Sequence, residues 1–139
     1  MKIAVVLTRI PFPLMKGDKL RAYYQIKELA KTNEVHLFCL NYKDEDVKAK
    51  AELLKYCKSV HISRLNLFSS LLRVGLSVFT KLPFQTAYYN SKKAKAEFCN
   101  FVEKNDIDLC YFQFVRLAPY AEKIGQKKVL DFQDTLSVN

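Results

Sequence analysis

The chain begins with M-K-I-A-V-V-L at 1–7, followed by T-R-I-P-F-P-L-M-K-G-D at 8–18, and this segment carries the clearest indication of its fold. Ile3–Leu7 is an uninterrupted apolar run rich in β-branched residues, which is typical of a strand buried on both faces of a parallel sheet. A proline-containing loop then leads to Asp18, a residue type that caps helices, and apolar side chains recur after it at helical spacing. A strand, a loop and a helix in this order are typical of the beginning of a parallel α/β sheet.

The alternation of strand and helix continues to the end of the chain. Further strands are predicted at Glu34–Asn41, Ser59–Ile62, Asp108–Phe114 and Lys128–Phe132. Further helices are predicted from Asp44, Glu45 and Asp46 onward, over Leu65–Leu82, after the capping residue Ser91, and over Leu117–Ile124. Because such strands connect through right-handed crossovers, the sequence predicts an α/β fold. We expect a three-layer sandwich with a mostly parallel sheet of about five strands, formed as a single domain by residues 1–139.

Composition and motifs exclude several classes of protein. Half of the 139 residues are hydrophobic, which is too many for a disordered chain, and no apolar stretch of about 20 residues is free of charge. The apolar run near the amino terminus is too short for a signal peptide, so a cytoplasmic location is expected. The four cysteines form no C-x-x-C pair, and glycine-rich phosphate-binding motifs are missing from the sequence. We therefore expect no metal site and no cofactor.

The net charge of +9 comes from 18 lysines and 5 arginines that are scattered along the chain. One interpretation is a solvated surface kept soluble by charge. Another is a surface that rests against anionic lipid headgroups, which attract nearby lysines. Proteins that bind nucleic acid more often combine arginines with interleaved aromatic residues, so nucleic acid is not expected as a partner.

Three segments follow predicted strands and are expected to meet at the carboxyl edge of the sheet, where open parallel sheets bind ligands: Arg9–Asp18, Gln113–Arg116 and Asp131–Asp134. The first segment either forms a plain capping turn or contacts a ligand at the start of a helix. The carboxylate of Asp18 would repel a phosphate there but would accept hydrogen bonds from sugar hydroxyls. The candidate substrate-binding residues are Arg9, Lys16, Gly17, Asp18, Gln113, Arg116, Asp131 and Asp134. None is expected to be a catalytic acid or base.

The predicted helix over Leu65–Leu82 has a wide apolar face. One interpretation is a surface helix that lies in a membrane interface, with Phe68, Leu72 and Phe79 facing the membrane. The alternative is a buried crossover helix whose wet face is formed by Ser69, Arg73 and Ser77.

Two stretches of the chain resemble a known family of enzymes. The opening 30 residues, with E-V-H-L-F-C-L after them and L-D-F-Q-D-T-L-S at 130–137, resemble the amino-terminal half of family 4 retaining glycosyltransferases of the bacterial surface-polysaccharide type. The resemblance implies the GT-B architecture, in which two Rossmann-like halves face each other across a cleft. It also implies that Gly17 approaches the donor sugar and that Gln113 stands where many members have a histidine. Asp131 and Asp134 match acidic positions of the family, or are loop carboxylates that satisfy backbone amides.

The resemblance implies that the chain is the acceptor-side half of a hexosyltransferase, without the donor-binding half. The whole enzyme would move a sugar from a nucleotide-sugar to a glycan or polyprenyl-linked acceptor in cell-envelope polysaccharide synthesis. We expect this chain alone to be inactive, and its location to be the cytoplasm or the inner face of the cell membrane. The alternative is a stand-alone, non-catalytic flavodoxin-like module that binds a ligand or a partner, since one sheet type serves many functions.

Overall fold

A computed structural model describes residues 1–42, 47–79 and 83–132 of the chain and shows an α/β fold. The strands are β1 (Lys2–Leu7), β2 (Glu34–Asn41), β3 (Ser59–Arg64), β4 (Leu109–Phe112) and β5 (Lys127–Leu130). The helices are α1 (Gly17–Leu29), α2 (Val47–Leu53), α3 (Leu67–Ser77), α4 (Phe84–Tyr89), α5 (Lys92–Lys104) and α6 (Ala118–Ala121). The predicted fold class, a Rossmann-like three-layer sandwich with a parallel sheet, is confirmed.

The five strands form one sheet in the order β3-β2-β1-β4-β5, and every neighbouring pair is parallel. Ile3 of β1 lies opposite Val35 of β2 on one side and opposite Leu109 of β4 on the other. The order is that of the first five strands of the dinucleotide-binding fold and differs from the 2-1-3-4-5 order of flavodoxin. The carboxyl ends of β1, β2 and β4 therefore lie side by side at one edge of the sheet.

Each face of the sheet carries its own apolar cluster. Val6 points into a cluster built around Phe98 of α5, and its neighbour Val5 points into a cluster built around Ile26 of α1. Because side chains alternate between the faces of a strand, a strand covered on both faces needs apolar residues at every position. This is why β1 has an uninterrupted apolar sequence and not an alternating one.

The start of α1 differs from the prediction. Asp18, which was expected to cap this helix, lies in its first turn, and Lys16 occupies the N-cap position without a side-chain cap hydrogen bond. The Asp18 carboxylate pairs instead with Arg9, at 3.2 Å between Oδ2 and Nε. The predicted cap at Ser91 is confirmed, since its Oγ accepts a hydrogen bond from the N–H of Ala94 at 3.3 Å.

The apolar helix after β3 is shorter than predicted. It begins after Asn66, whose side chain accepts a hydrogen bond from the N–H of Ser69 at 3.2 Å, and it ends at Ser77. The sequence did not indicate α4, which follows with Pro83 at its N-cap. Residues 80–82 of the predicted helix lie outside the described residues. In the described part of the chain, no helix is both long enough and apolar enough to cross a bilayer.

Several other boundaries also differ. β4 ends at Phe112 because the chain turns at Phe114, whose φ of 138° departs from an extended strand. β5 ends at Leu130, and β3 continues to Arg64 through its pairing with β2. The last predicted helix is a 3-10 helix over Val115–Leu117 followed by the short α6. The acidic start of the second predicted helix, at 44–46, lies outside the described residues.

Candidate functional site

A cleft of about 570 Å³ lies at the carboxyl ends of β1 and β2. The loop after β1, the end of β2 and helix α4 form its walls, and its polar lining residues include Thr8, Arg9, Lys16, Lys19 and Asn41. This volume is within the range of about 300–1,000 Å³ that is usual for sites binding small molecules. The cleft is therefore large enough for a ligand of one or a few sugar units.

One wall of the cleft is cationic. Arg9 is partly neutralised by its pair with Asp18, and the Nζ of Lys19 donates a hydrogen bond to the carbonyl oxygen of Phe12 at 3.5 Å. Lys16 is exposed at the N-cap of α1, where the partial positive charge of the helix end adds to its own charge. Three cations against one carboxylate leave this wall positive, so it favours a ligand that carries an anionic group.

The opposite wall is aromatic. The rings of Tyr42 and Tyr88 lie 5.3 Å apart between centroids, and Tyr88 meets Tyr89 edge to face at 5.1 Å. The Tyr42 hydroxyl donates a hydrogen bond to Ser70 of α3 at 3.2 Å. Burial raises the pKa of Tyr42 well above its ordinary value, so this phenol stays neutral. Tyrosines combine an apolar ring with a polar tip, which suits a ligand that has both apolar faces and hydroxyl groups.

Thr8, at the end of β1, is the most informative residue of the cleft. Its side chain is buried, with the residue only 3% exposed, and its Oγ1 has no hydrogen-bond partner among the described residues. A buried hydroxyl without a partner costs about 1–3 kcal/mol, and such groups usually mark a missing water, ion or ligand. Thr8 lines both the open cleft and a smaller filled crevice beside it, so its hydroxyl is a candidate partner for a ligand bound at this edge of the sheet.

The crevice between β1 and β4, where the strand order reverses, is filled by side chains. Its lining includes the side chains of Arg9, Asp18 and Gln113 beside Phe114, and the space left between them is too small for a water molecule. Gln113 is buried. Ligands in open α/β sheets usually bind at this switch point. In this chain the open space lies one strand away, over the ends of β1 and β2.

A chain of hydrogen bonds joins the tips of β4 and β5 to α1. Gln113 donates to Gln25 at 3.4 Å, Gln25 donates to the Tyr111 hydroxyl at 3.3 Å, and Tyr111 donates to the carboxylate of Asp131. Arg21 also contacts this carboxylate, at 3.2 Å. Burial, together with the hydrogen bond to Asp131, raises the pKa of Tyr111 to about 12, so the phenol remains a hydrogen-bond donor. Asp131 thus fixes the sheet edge to α1 and does not line the open cleft.

The backbone is strained directly after β4. Phe114 has φ 138° and ψ 137° although it is a bulky, buried residue, and such conformations cost about 1–3 kcal/mol. The guanidinium carbon of Arg116 lies 4.3 Å from the centre of the Phe114 ring and 5.7 Å from that of Tyr89. Arg116 therefore holds the strained turn against the aromatic wall of the cleft, and strain of this kind clusters at binding and catalytic sites.

The structure describes seven of the eight predicted site residues, and they lie in different environments. Arg9 and Lys16 line the open cleft, and Asp18 and Gln113 adjoin it in the filled crevice. Arg116 packs on Tyr89 of the aromatic wall, whereas Asp131 contacts Arg21 and Tyr111 away from the cleft. Gly17 lies at the start of α1 with open space around its Cα and no positive φ, and Asp134 lies outside the described residues.

Sequence reasoning missed several residues of the cleft: Thr8, Asn41, Tyr42, Tyr88 and Tyr89. The first three could have been placed from the sequence, because they lie at the ends of β1 and β2, at the same carboxyl edge of the sheet as the predicted segments. The two tyrosines of α4 carried no such signal, since this helix was not predicted.

Comparison of the chain with protein-family models and with curated proteins finds no match. Among the described residues, no three histidine, cysteine, aspartate or glutamate side chains come together as a metal-binding group would require. The cleft offers a ligand its cationic side chains, its aromatic side chains and the buried hydroxyl of Thr8.

Proposed function

We propose that this chain is the acceptor-side domain of a nucleotide-sugar-dependent glycosyltransferase of envelope polysaccharide synthesis. The acceptor, a glycan or a polyprenyl-linked sugar, binds in the cleft at the carboxyl ends of β1 and β2. One observation carries the proposal: the cleft with the cationic and aromatic walls is also lined by Thr8, whose buried hydroxyl has no partner among the described residues. The resemblance of residues 1–30 and 130–137 to family 4 glycosyltransferases supports the same function.

The cleft residues act by binding and orienting the acceptor. Thr8 exchanges a hydrogen bond with an acceptor hydroxyl, the ring of Tyr88 packs against the apolar face of a sugar, and Lys16 attracts a phosphate of a lipid-linked acceptor. Holding the attacking hydroxyl in one position lowers the entropic part of the barrier to transfer.

Transfer also needs a second wall that binds the donor. A departing nucleoside diphosphate must be stabilised by fixed positive charges and N–H donors. The residues described here build a single sheet with its cleft on one edge. In the proposed enzyme, the donor wall closes over this cleft from the opposite side, in the cytoplasm.

Replacement of Tyr88 by alanine tests the proposed acceptor site. We expect the 139-residue chain to bind oligosaccharides or prenyl-diphosphate-linked sugars in saturation-transfer NMR, and Tyr88→Ala to weaken that binding about fivefold through the lost ring contact. Tyr24→Ala is the matched control, because this tyrosine of α1 is exposed and does not line the cleft. If neither class of sugar ligand bound and flavin mononucleotide did, the glycosyltransferase proposal would fail and the flavodoxin-like alternative would be supported.

A further inference from the structure

Helix α3 is packed with its polar side inward. Ser70 and Ser77 are buried, with 0% and 4% of each residue exposed, whereas Phe68 and Phe79 are 78% and 88% exposed. We call the exposed side the α3 apolar face; its members are Leu67, Phe68, Leu71, Leu72, Leu76, Val78, Phe79 and, from α4, Phe84. The interpretation of this segment as a buried crossover helix with Ser77 on a wet face is therefore wrong.

Polar contacts fix the orientation of α3. Arg73 donates to Ser70 at 2.6 Å and to the carbonyl oxygens of Ala87 and Tyr88 at 3.4 and 3.2 Å. These bonds attach α3 to α4 and leave the leucines and phenylalanines pointing away from the domain. Soluble monomers rarely expose a large continuous apolar patch, and when they do it usually marks an interaction site.

A basic depression lies beside α3, which contributes one of its lining residues. It has a volume of about 500 Å³ and is lined by Arg73 together with Lys92, Lys93 and Lys95 at the start of α5. Burial, with Lys123 and Lys92 nearby, lowers the pKa of Lys95, as expected where cations are crowded. Glu97 on the same helix lies 3.8 Å from Lys93 and offsets part of this charge, but the four lining cations still leave a positive excess.

We propose that the α3 apolar face and the basic depression dock this chain on an anionic lipid bilayer, with α3 lying in the interface. Helices that lie in a membrane interface typically carry leucine and phenylalanine beside lysine. The apolar side chains insert at the boundary between headgroups and acyl chains, and the cations bind the anionic headgroups. The α3 helix has 11 residues, about half of what a spanning helix needs.

Membrane docking goes beyond the proposed function, because it depends on no property of the cleft. The two are compatible in position: the Tyr42–Ser70 hydrogen bond links the aromatic wall of the cleft to α3. A chain docked through α3 would hold this wall close to the lipid surface, where a lipid-linked acceptor resides.

Co-sedimentation with vesicles tests the docking surface. We expect the wild-type chain to bind vesicles of phosphatidylcholine with 30% phosphatidylglycerol, and Leu72→Glu/Phe79→Glu to bind them at least tenfold more weakly. Val47→Glu/Leu54→Glu is the matched control, since it adds the same charge at two exposed apolar positions, one at the start of α2 and one directly after its end. The four side chains are all exposed, so circular dichroism should show an unchanged fold.

Two double variants test the role of the basic depression. Lys92→Gln/Lys93→Gln is expected to weaken binding to the anionic vesicles about tenfold at low salt, because each cation near the headgroups strengthens binding severalfold. Lys48→Gln/Lys104→Gln removes the same charge from α2 and from the far end of α5, and is expected to bind like the wild type apart from a small general loss.

Three results would overturn the proposal. The first is a wild-type chain that does not bind anionic vesicles, and the second is equal binding by wild type and Leu72→Glu/Phe79→Glu. The third is a dimer in sedimentation velocity that Leu72→Glu/Phe79→Glu abolishes, without vesicle binding, because the face would then belong to a second copy of the chain. Sugar binding in the cleft is unaffected by any of these results, so this failure is distinguishable from failure of the proposed function.

Discussion

Replacing Phe38 by alanine is expected to lower the free energy of unfolding by about 3–5 kcal/mol, which is the usual cost of removing a fully buried aromatic side chain. Phe38 lies in the middle of β2 and is 0% exposed. Its ring stacks on His61 at 5.1 Å and contacts Phe98 and Phe101 at 5.1 and 5.6 Å. Alanine would leave a cavity between the sheet and α5 that these rings cannot fill. Urea denaturation followed by circular dichroism measures the loss.

The control is Phe79→Ala, which removes the same ring from an exposed position on the α3 apolar face. It is expected to change the stability by less than about 0.5 kcal/mol, as surface substitutions usually do. Equal losses for the two variants would show that Phe38 is not in the core or that α3 is packed against the domain.

Thr8→Val is expected to weaken acceptor binding about 10- to 100-fold, because the acceptor would lose its hydrogen bond in a buried site. The same substitution should leave the stability of the unbound chain unchanged or raise it by about 1 kcal/mol, since valine has the shape of threonine without a buried, unpartnered hydroxyl. The combination of lost affinity and retained stability is specific to a residue whose partner is the ligand. Isothermal titration calorimetry and urea denaturation measure the two quantities.

Thr32→Val makes the same chemical change after α1, away from the cleft, and should leave acceptor binding as it is. A loss of stability of more than about 1 kcal/mol in Thr8→Val would mean that the hydroxyl is satisfied within the fold. Thr8 would then no longer mark a ligand position.

The α/β architecture was predictable because the clearest apolar patterns in the sequence belong to the strands that are packed on both faces. β1 and β2 are covered on both faces, so they contain the apolar runs Ile3–Leu7 and Leu37–Leu40, which are typical of central strands. The short α4 was missed because six residues with two adjacent tyrosines show no clear period. The exposure of α3 was not predictable either, because the same apolar pattern suits a buried helix and an interfacial one.

The site was predictable in its location but not in its detailed lining. Parallel topology brings the ends of β1, β2 and β4 to one edge, so Arg9 and Lys16 could be named from the sequence. Which crevice at that edge stays open depends on side-chain packing, and here the Arg9–Asp18 pair and the turn at Phe114 fill the expected one. No sequence pattern encodes a φ of 138° at a phenylalanine.

A titration of the ¹⁵N-labelled chain with an oligosaccharide acceptor locates the bound sugar, because amide chemical shifts change where the ligand contacts the chain. If the acceptor binds in the cleft, the largest shifts are expected at residues around it, namely Thr8, Arg9, Asn41, Tyr42 and Tyr88. Shifts confined to α2 or to the β5 edge, with these five amides unmoved, would contradict binding in the cleft.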